Sequence, residues 1–154
     1  KLNEGDVLVI DTGTTYDGYF CDFDRNFGFG KISDDVVKTH DILWEALEIG
    51  MQSAKPGNTF ADINNAMAKI LEKNNPISNN VGRMGHGIGL QLTEPPSIMV
   101  GDNTPLKENM TIAIEPCLEY TPGIMLVHEE NILITNNGFE RLSSRTPQKI
   151  PIIN

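Results

Sequence analysis

Apolar residues recur along the chain with two different periods, which predict two kinds of secondary structure. Runs rich in β-branched and aliphatic residues are typical of strands, and they fall at residues 6–12, 19–27, 110–117 and 124–135. Apolar positions that return every three or four residues indicate amphipathic helices, and they fall at residues 34–54 and 60–73. This order of elements predicts an α+β fold in which two pairs of strands are separated by two helices.

Residues with strong turn or capping preferences set the limits of these elements. Asp17-Gly18 lies between two apolar runs and predicts a hairpin turn, and Thr121-Pro122-Gly123 joins the second pair of strands. Ser33 and Thr59 are candidate helix N-caps, and Pro56-Gly57 ends the first helix. The remaining segments are predicted to be turns or loops, at residues 74–80, 94–105 and in the tail after 135.

Composition narrows the class of protein. The 154 residues include 39% hydrophobic residues, which is enough for a packed core. With 21 acidic residues against 12 basic ones and a net charge of −9, the chain is a poor match for nucleic acid. No apolar run approaches the ~20 residues that span a bilayer, and two cysteines are too few for a disulfide framework. We therefore expect one domain in a reducing, cytoplasmic compartment, with neither nucleic acid nor membrane as a partner.

A repeated strand–turn–strand unit carries acidic residues at matching positions. LNEGDVLVID (2–11) aligns with LKENMTIAIE (106–115) at an offset of 104 residues, which matches Asp11 to Glu115. The next strand of each pair also carries an acid, Asp22 in the first pair and Glu129 in the second. These acids follow their partners by 11 and 14 residues, a difference that the turn length can absorb. The sequence thus predicts two related hairpins, each with a carboxylate on both strands.

Carboxylates within apolar strands are costly to bury unless they are paired or bound to metal. If the repeat brings the four acids together, they repel one another, and two divalent cations would supply the balancing charge. Oxygen ligands with one imidazole suit such a site. Two simpler interpretations stay open at this point. Either the acids lie at strand ends in solvent or beside Lys and Arg, or they hold a metal that has only a structural role.

The motifs IDTG, DFDR, GHGIGL, IEP and HEEN together resemble the pita-bread metallopeptidases. This family includes methionine aminopeptidase, Xaa-Pro aminopeptidase and Xaa-Pro dipeptidase, and DFDR and the short gap between the glutamates are most similar to the Xaa-Pro branch. The resemblance extends from about Leu2 to Thr135. It implies a curved antiparallel sheet with helices on its outer face and a pseudo-two-fold repeat. Since no helices precede the first hairpin, we expect residues 1–154 to form a single catalytic domain that lacks its N-terminal portion.

Carried over position by position, the resemblance implies five metal ligands, which are Asp11, Asp22, His86, Glu115 and Glu129. They would hold two divalent cations, which could be Mn, Co, Fe or Zn because the sequence does not fix the metal. Asp11 and Glu129 would bridge the cations, with Asp22 on one and His86 with Glu115 on the other. Glu115 would also be the catalytic residue that shuttles a proton.

The activity implied by the resemblance is removal of an N-terminal residue or dipeptide by metal-activated water. One departure is Thr93, which stands where the family's peptidases carry a substrate-binding histidine and which can donate only a neutral hydrogen bond. Thr93 opens an alternative, an amidohydrolase of the ectoine-hydrolase type, and a non-catalytic binding relative is a third hypothesis. The expected partner is a small peptide or a small amide. The oligomeric state stays open, with a homodimer as one candidate, and we expect the isolated chain to be inactive.

Two further histidines are predicted to be structural. His40 falls on the apolar face of the first helix, where packing is the ordinary role. His128 precedes Glu129 on a strand, so its side chain should point to the opposite face of the sheet and pack there.

Overall fold

The computed structural model describes residues 1–74 and 82–154 of the chain. Its elements follow one another as β1 (Val7–Tyr16), β2 (Tyr19–Phe29), α1 (Asp34–Ser53), α2 (Phe60–Lys73), β3 (Gly85–Gly87), β4 (Glu94–Ser97), β5 (Thr111–Ile114), β6 (Cys117–Thr121), β7 (Ile124–Val127), β8 (Glu130–Ile134), β9 (Phe139–Arg141) and β10 (Ile152–Ile153). The predicted α+β order is confirmed. Of the turn predicted at 74–80, all but residue 74 lies outside the described residues.

The strands β1 and β2 form a long antiparallel ribbon, which we call the first hairpin. Its turn residues Asp17 and Gly18 have φ angles of 50° and 84°, the left-handed pair that a two-residue hairpin turn requires. Both strands are longer than predicted, and β1 continues through the exposed residues 12–16. This segment has few apolar residues, but its threonines suit a pleated strand.

The two helices have the caps that the sequence predicts. Ser33 Oγ accepts a hydrogen bond from the backbone N–H of Val36 at 3.3 Å, and Thr59 forms a capping box with Asp62. The helices pack on each other, and α1 also contacts β5, β6 and β7. Their buried faces form the core, with fully buried side chains at Leu43, Leu47, Met51, Phe60, Ile63 and Met67. Within residues 1–74 and 82–154, neither helix is long and apolar enough to cross a membrane.

The second pair of predicted strands forms an interrupted ribbon, which we call the second hairpin. β5 pairs with β8, and β6 pairs with β7 in the same antiparallel sense. The interruption places Glu115-Pro116 opposite His128-Glu129, between the pairs Ile114–Glu130 and Cys117–Val127. Pro116 has no N–H to donate to a ladder, which favours the break. The two glutamates therefore lie opposite each other within this break, where one backbone hydrogen bond, from His128 N–H to the carbonyl oxygen of Pro116 at 3.2 Å, still joins the two sides.

Three short strands lie where the sequence predicts loop or irregular chain. β4 falls within the predicted loop 94–105 and pairs with β3, whereas β9 pairs with β8 and β10 adds to β2 in parallel. These predictions were wrong because each strand has only two to four residues, which are too few to show a strand pattern. β4 and β9 pair with strands nearby in the sequence, whereas β10 pairs with the distant β2. The two prolines of β4 also favour a loop or a sheet edge.

Candidate metal centre

Four carboxylates and one imidazole converge where the two hairpins meet. Their donor atoms fall into two groups that share Glu129, and within each group these atoms lie within 4.8 Å of one another. One group joins Asp22, His86 and Glu129, and the other joins Asp11, Asp24 and Glu129. The resemblance assigns Asp22 and His86 to different cations, whereas the structure brings their donor atoms together.

The first hairpin supplies three aspartates from one face of the ribbon. Asp11 on β1 lies directly opposite Asp24 on β2, and Asp22 precedes Asp24 by two residues, so it shares that face. Like charges at opposite positions of a ladder are destabilising. Gly13 pairs with Asp22, and a Cβ at Gly13 would lie only 2.2 Å from the carbonyl oxygen of Cys21. Glycine at this position lets β2 approach β1 closely beside the carboxylates.

The second hairpin supplies Glu129 from its interrupted segment. This side chain is 1% exposed, and its Oε1 has no hydrogen-bond partner among the described residues. A buried polar atom without a partner is costly. A cation held between Glu129 and the aspartates of the first hairpin would satisfy this oxygen, so the donor set fits a divalent metal.

The imidazole of His86 is oriented by its own strand. Its Nδ1 lies 2.9 Å from the carbonyl oxygen of Gly87, which can only accept, so Nδ1 carries the proton and Nε2 keeps a free lone pair. Nε2 lies 3.6 Å from Oε1 of Glu115, and that oxygen also lies 3.5 Å from Nε of Arg83. Glu115 is therefore held at the His86 side of the centre. A metal-binding histidine is typically oriented through its other nitrogen in this way.

Burial and mutual repulsion make these acids difficult to ionise. Burial, followed by the charge of Asp11, raises the pKa of Asp24 to about 7. Burial raises the pKa of Glu129 to about 9, and the charges of Asp22 and Asp24 add to the shift. Burial is also the main cause that raises the pKa values of Asp22 and Glu115. These carboxyl groups can all be ionised near neutral pH only if positive charge lies close to them, and a bound cation would supply that charge.

Polar contacts beside the acids fasten the two hairpins together. The Asn131 side chain accepts a hydrogen bond from the backbone N–H of Asp22 at 3.1 Å and donates one to the Asp22 carbonyl oxygen. The Asn26 side chain donates to the carbonyl oxygen of Val127 at 2.6 Å. Arg25 forms a salt bridge with Glu130 at 3.3 Å. These contacts fix the spacing between the aspartates and Glu129.

The structure brings the five side chains predicted as ligands to one place, and their metal binding stays a prediction. Thr93 is exposed and precedes β4, whose Glu94 pairs with Gly87, so Thr93 lies one strand away from His86. Sequence reasoning missed Asp24 and Arg83. The signal for Asp24 was its spacing, because a residue two positions after Asp22 on a strand must share its face.

His40 and His128 are both buried, as expected for the packing role that the sequence predicts for each, and they also contact each other, which was not predicted. Their rings meet edge to face with centroids 4.4 Å apart, and both side chains are buried. Burial lowers the pKa of His128 to about 3, which leaves its imidazole neutral.

Two hairpins that direct carboxylates and an imidazole to a common centre give this chain the architecture of the pita-bread class. The family model described as metallopeptidase family M24 matches residues 1–136. The chain therefore belongs to metallopeptidase family M24.

Individual members of the Xaa-Pro branch of this family are similar to the chain. The Xaa-Pro dipeptidase of Pyrococcus furiosus is 34% identical over 144 residues, which cover 93% of this chain and 41% of that protein. The crystal structure of dipeptidase PepE from Mycobacterium ulcerans superimposes with a TM-score of 0.91 at 33% identity, covering 98% of this chain and 41% of that one. Prolidase from Pyrococcus furiosus gives 0.89 at 32% identity, covering 95% and 43%. The predicted pita-bread fold is confirmed, and the chain spans about two fifths of the length of these relatives.

Proposed function

We propose that this chain is the metal-binding part of a hydrolase that cleaves Xaa-Pro dipeptides with two divalent cations. The observation that carries the proposal is the buried carboxylate of Glu129, which both groups of donor atoms share and whose Oε1 has no partner in the described part of the chain. Similarity to a protein named Xaa-Pro dipeptidase supports the substrate class.

When bound, two divalent cations would lower the pKa of a water molecule to about 7 and polarise the scissile carbonyl group. Asp22, His86 and Glu129, with Glu115 beside His86, would hold one cation, and Asp11 with Glu129 would hold the other. The shared carboxylate would keep the two positions adjacent. His86 would bind through Nε2, because its Nδ1 is engaged with the Gly87 carbonyl oxygen.

Glu115 would transfer the proton in this reaction. Burial raises the pKa of its carboxyl group above the ordinary value, which makes the carboxylate a stronger base. The guanidinium group of Arg83 lies beside its Oε1 and would orient the carboxylate. Glu115 would take a proton from water and pass it to the leaving amine.

Thr93 would contact the substrate from the strand edge beside His86. Its hydroxyl group can donate one neutral hydrogen bond to a substrate carbonyl oxygen. The relatives are named as dipeptidases, so they favour a small peptide over the small amide that an ectoine-hydrolase-like enzyme would take.

The full-length protein should bind two divalent ions and hydrolyse Xaa-Pro dipeptides. Chelation should abolish hydrolysis, and Mn²⁺ or Co²⁺ should restore it, because a water molecule loses its proton near neutral pH only when a metal ion lowers its pKa. Metal analysis and a dipeptide assay before and after chelation measure both effects. If the protein binds no divalent ion under metal-replete conditions, the proposal fails in favour of a non-catalytic binding relative.

Replacing Thr93 by histidine should raise kcat/KM for an Xaa-Pro dipeptide by about tenfold or more. The imidazole can donate a stronger hydrogen bond to developing negative charge, and one such donor is worth ~10²-fold in related chemistry. Steady-state assays of Thr93→His and Thr93→Val against the parent protein measure the effect, since valine keeps the shape and removes the hydroxyl group. Equal rates for all three proteins would remove Thr93 from the substrate site.

A further inference from the structure

Asp24 lies within the metal centre although it is absent from the predicted ligand set. Its side chain is 5% exposed, and its carboxylate lies within 4.8 Å of the donor atoms of Asp11 and Glu129. It faces Asp11 directly across the first hairpin. Two carboxylates held opposite each other and out of water need a counter-charge between them.

The strand register makes Asp24 the counterpart of Glu129. Ile10 and Ile114 are matched by the repeat, and they pair with Arg25 and Glu130 respectively. Arg25 and Glu130 are 105 residues apart, and the same offset relates Asp24 to Glu129. The internal repeat in the sequence matched Asp22 to Glu129. The strand register matches Asp24 to Glu129 instead.

A second pair of residues repeats the same offset. Asn26 and Asn131 are also 105 residues apart. The Asn26 side chain binds the backbone of Val127, four positions before Asn131, and the Asn131 side chain binds the backbone of Asp22, four positions before Asn26. The two-fold relation therefore holds for backbone contacts as well as for register. It places Asp24 and Glu129 at equivalent positions on either side of the centre.

An independent observation indicates that something binds between these acids. Glu129 is 1% exposed, its Oε1 has no partner within residues 1–74 and 82–154, and its carboxylate is grouped with those of Asp11 and Asp24. Neither aspartate can donate a hydrogen bond when ionised. A cation satisfies all three groups at once.

We propose that Asp24 is a sixth metal ligand, which binds the cation held by Asp11 and Glu129. This inference rests on the proposed two-cation site and deepens it. One position then has only carboxylate oxygens, from Asp11, Asp24 and Glu129, and suits a hard ion such as Mn²⁺. The other position includes the imidazole nitrogen of His86 and suits Co²⁺ or Zn²⁺. The two cations are thus held by chemically different ligand sets.

Metal titration of the full-length protein tests this assignment through binding instead of activity. After chelator treatment, calorimetric titration with Mn²⁺ is compared for the parent protein, Asp24→Asn and Asp17→Asn. Asp17 is an exposed residue in the turn of the same hairpin, so its variant makes the same change of charge away from the centre. Loss of a residue that only orients a ligand costs about 10–100-fold in affinity, so Asp24→Asn should weaken one Mn²⁺ site at least tenfold. Asp17→Asn should match the parent protein.

The Co²⁺ absorption spectrum supplies the second readout. The bands that arise from the His86 position should persist in Asp24→Asn, whereas the contribution of the oxygen-only position should be lost. Asp24→Ser repeats the test with a smaller side chain, and circular dichroism verifies the fold of each variant. If Asp24→Asn and Asp24→Ser bind Mn²⁺ as tightly as Asp17→Asn, Asp24 is not a ligand although the two-cation site stands. If the parent protein binds no divalent ion, the two-cation site itself is overturned.

Discussion

Replacing Glu129 by glutamine should release both cations and lower kcat/KM for Xaa-Pro dipeptides by about a thousandfold or more. Glu129 is the one side chain shared by both groups of donor atoms, so its charge contributes to each position. Metal ions supply several kcal/mol of transition-state stabilisation, and each ~1.4 kcal/mol is a factor of ten in rate. Metal content after gel filtration and steady-state kinetics of the full-length protein measure the two losses.

A matched control for this variant is Glu140→Gln. Glu140 lies exposed on β9, so this variant makes the same chemical change outside the centre. Its metal content and kinetics should equal those of the parent protein. Two bound ions and undiminished hydrolysis in Glu129→Gln would contradict the shared role of this carboxylate and, with it, the proposed site.

Local rules were sufficient for the helices and the first hairpin. The caps at Ser33 and Thr59 and the turn at Asp17-Gly18 each depend on residues within four positions of one another. Contacts of such short range can be predicted from adjacent residues. Strands β4 and β10 were missed because each is short and its own residues carry little strand pattern, and β10 also depends on β2, a partner distant in sequence.

Some residues of the metal centre could be found from the sequence pattern, whereas others become evident only from the strand register. Asp11, Glu115 and Glu129 stand out because an acid within an apolar run is unusual. Asp24 does not stand out, since its neighbour Asp22 already accounts for an acid on that strand. Its spacing from Asp22 shows only that the two share a face, and the strand register shows that Asp24 is the one opposite Asp11. Register is a long-range property, and a comparison that allows for turn length cannot distinguish the two aspartates.

Arg83 illustrates a different limit of the sequence. Arginine close to a glycine-rich segment is unremarkable, and nothing in its neighbours indicates a partner. Its contact with Glu115 arises because β3 pairs with β5, which brings together residues that are 25 or more positions apart in the sequence. Close approach of the two strands depends on Gly85, where a Cβ would lie 2.3 Å from the carbonyl oxygen of Ala113.

The chelated protein should lose stability as the pH rises from 6.5 to 9. The pKa of Asp24 is about 7 in the folded chain against 3.8 as its ordinary value, and that of Glu129 is about 9 against 4.5. Over this range the folded state binds more protons than the unfolded state, so the free energy of unfolding falls with pH. The slope from one such group reaches about 1.4 kcal/mol per pH unit. Denaturant titrations in chelator at several pH values measure it.

Starting the measurement at pH 6.5 separates the effect of the acids on stability from that of the buried histidines. Burial lowers the pKa of His128 to about 3 from 6.5, so its neutral ring destabilises the folded chain only below about pH 6.5. Added Mn²⁺ should reverse the slope, because cations replace the protons and bind more tightly as the carboxylates ionise. Glu129→Gln should flatten the upper part of the curve, and Glu140→Gln should leave it unchanged. A free energy of unfolding that stays constant or rises between pH 6.5 and 9 in chelator would mean that the acids are solvated, and the electrostatic basis of the metal centre would fail.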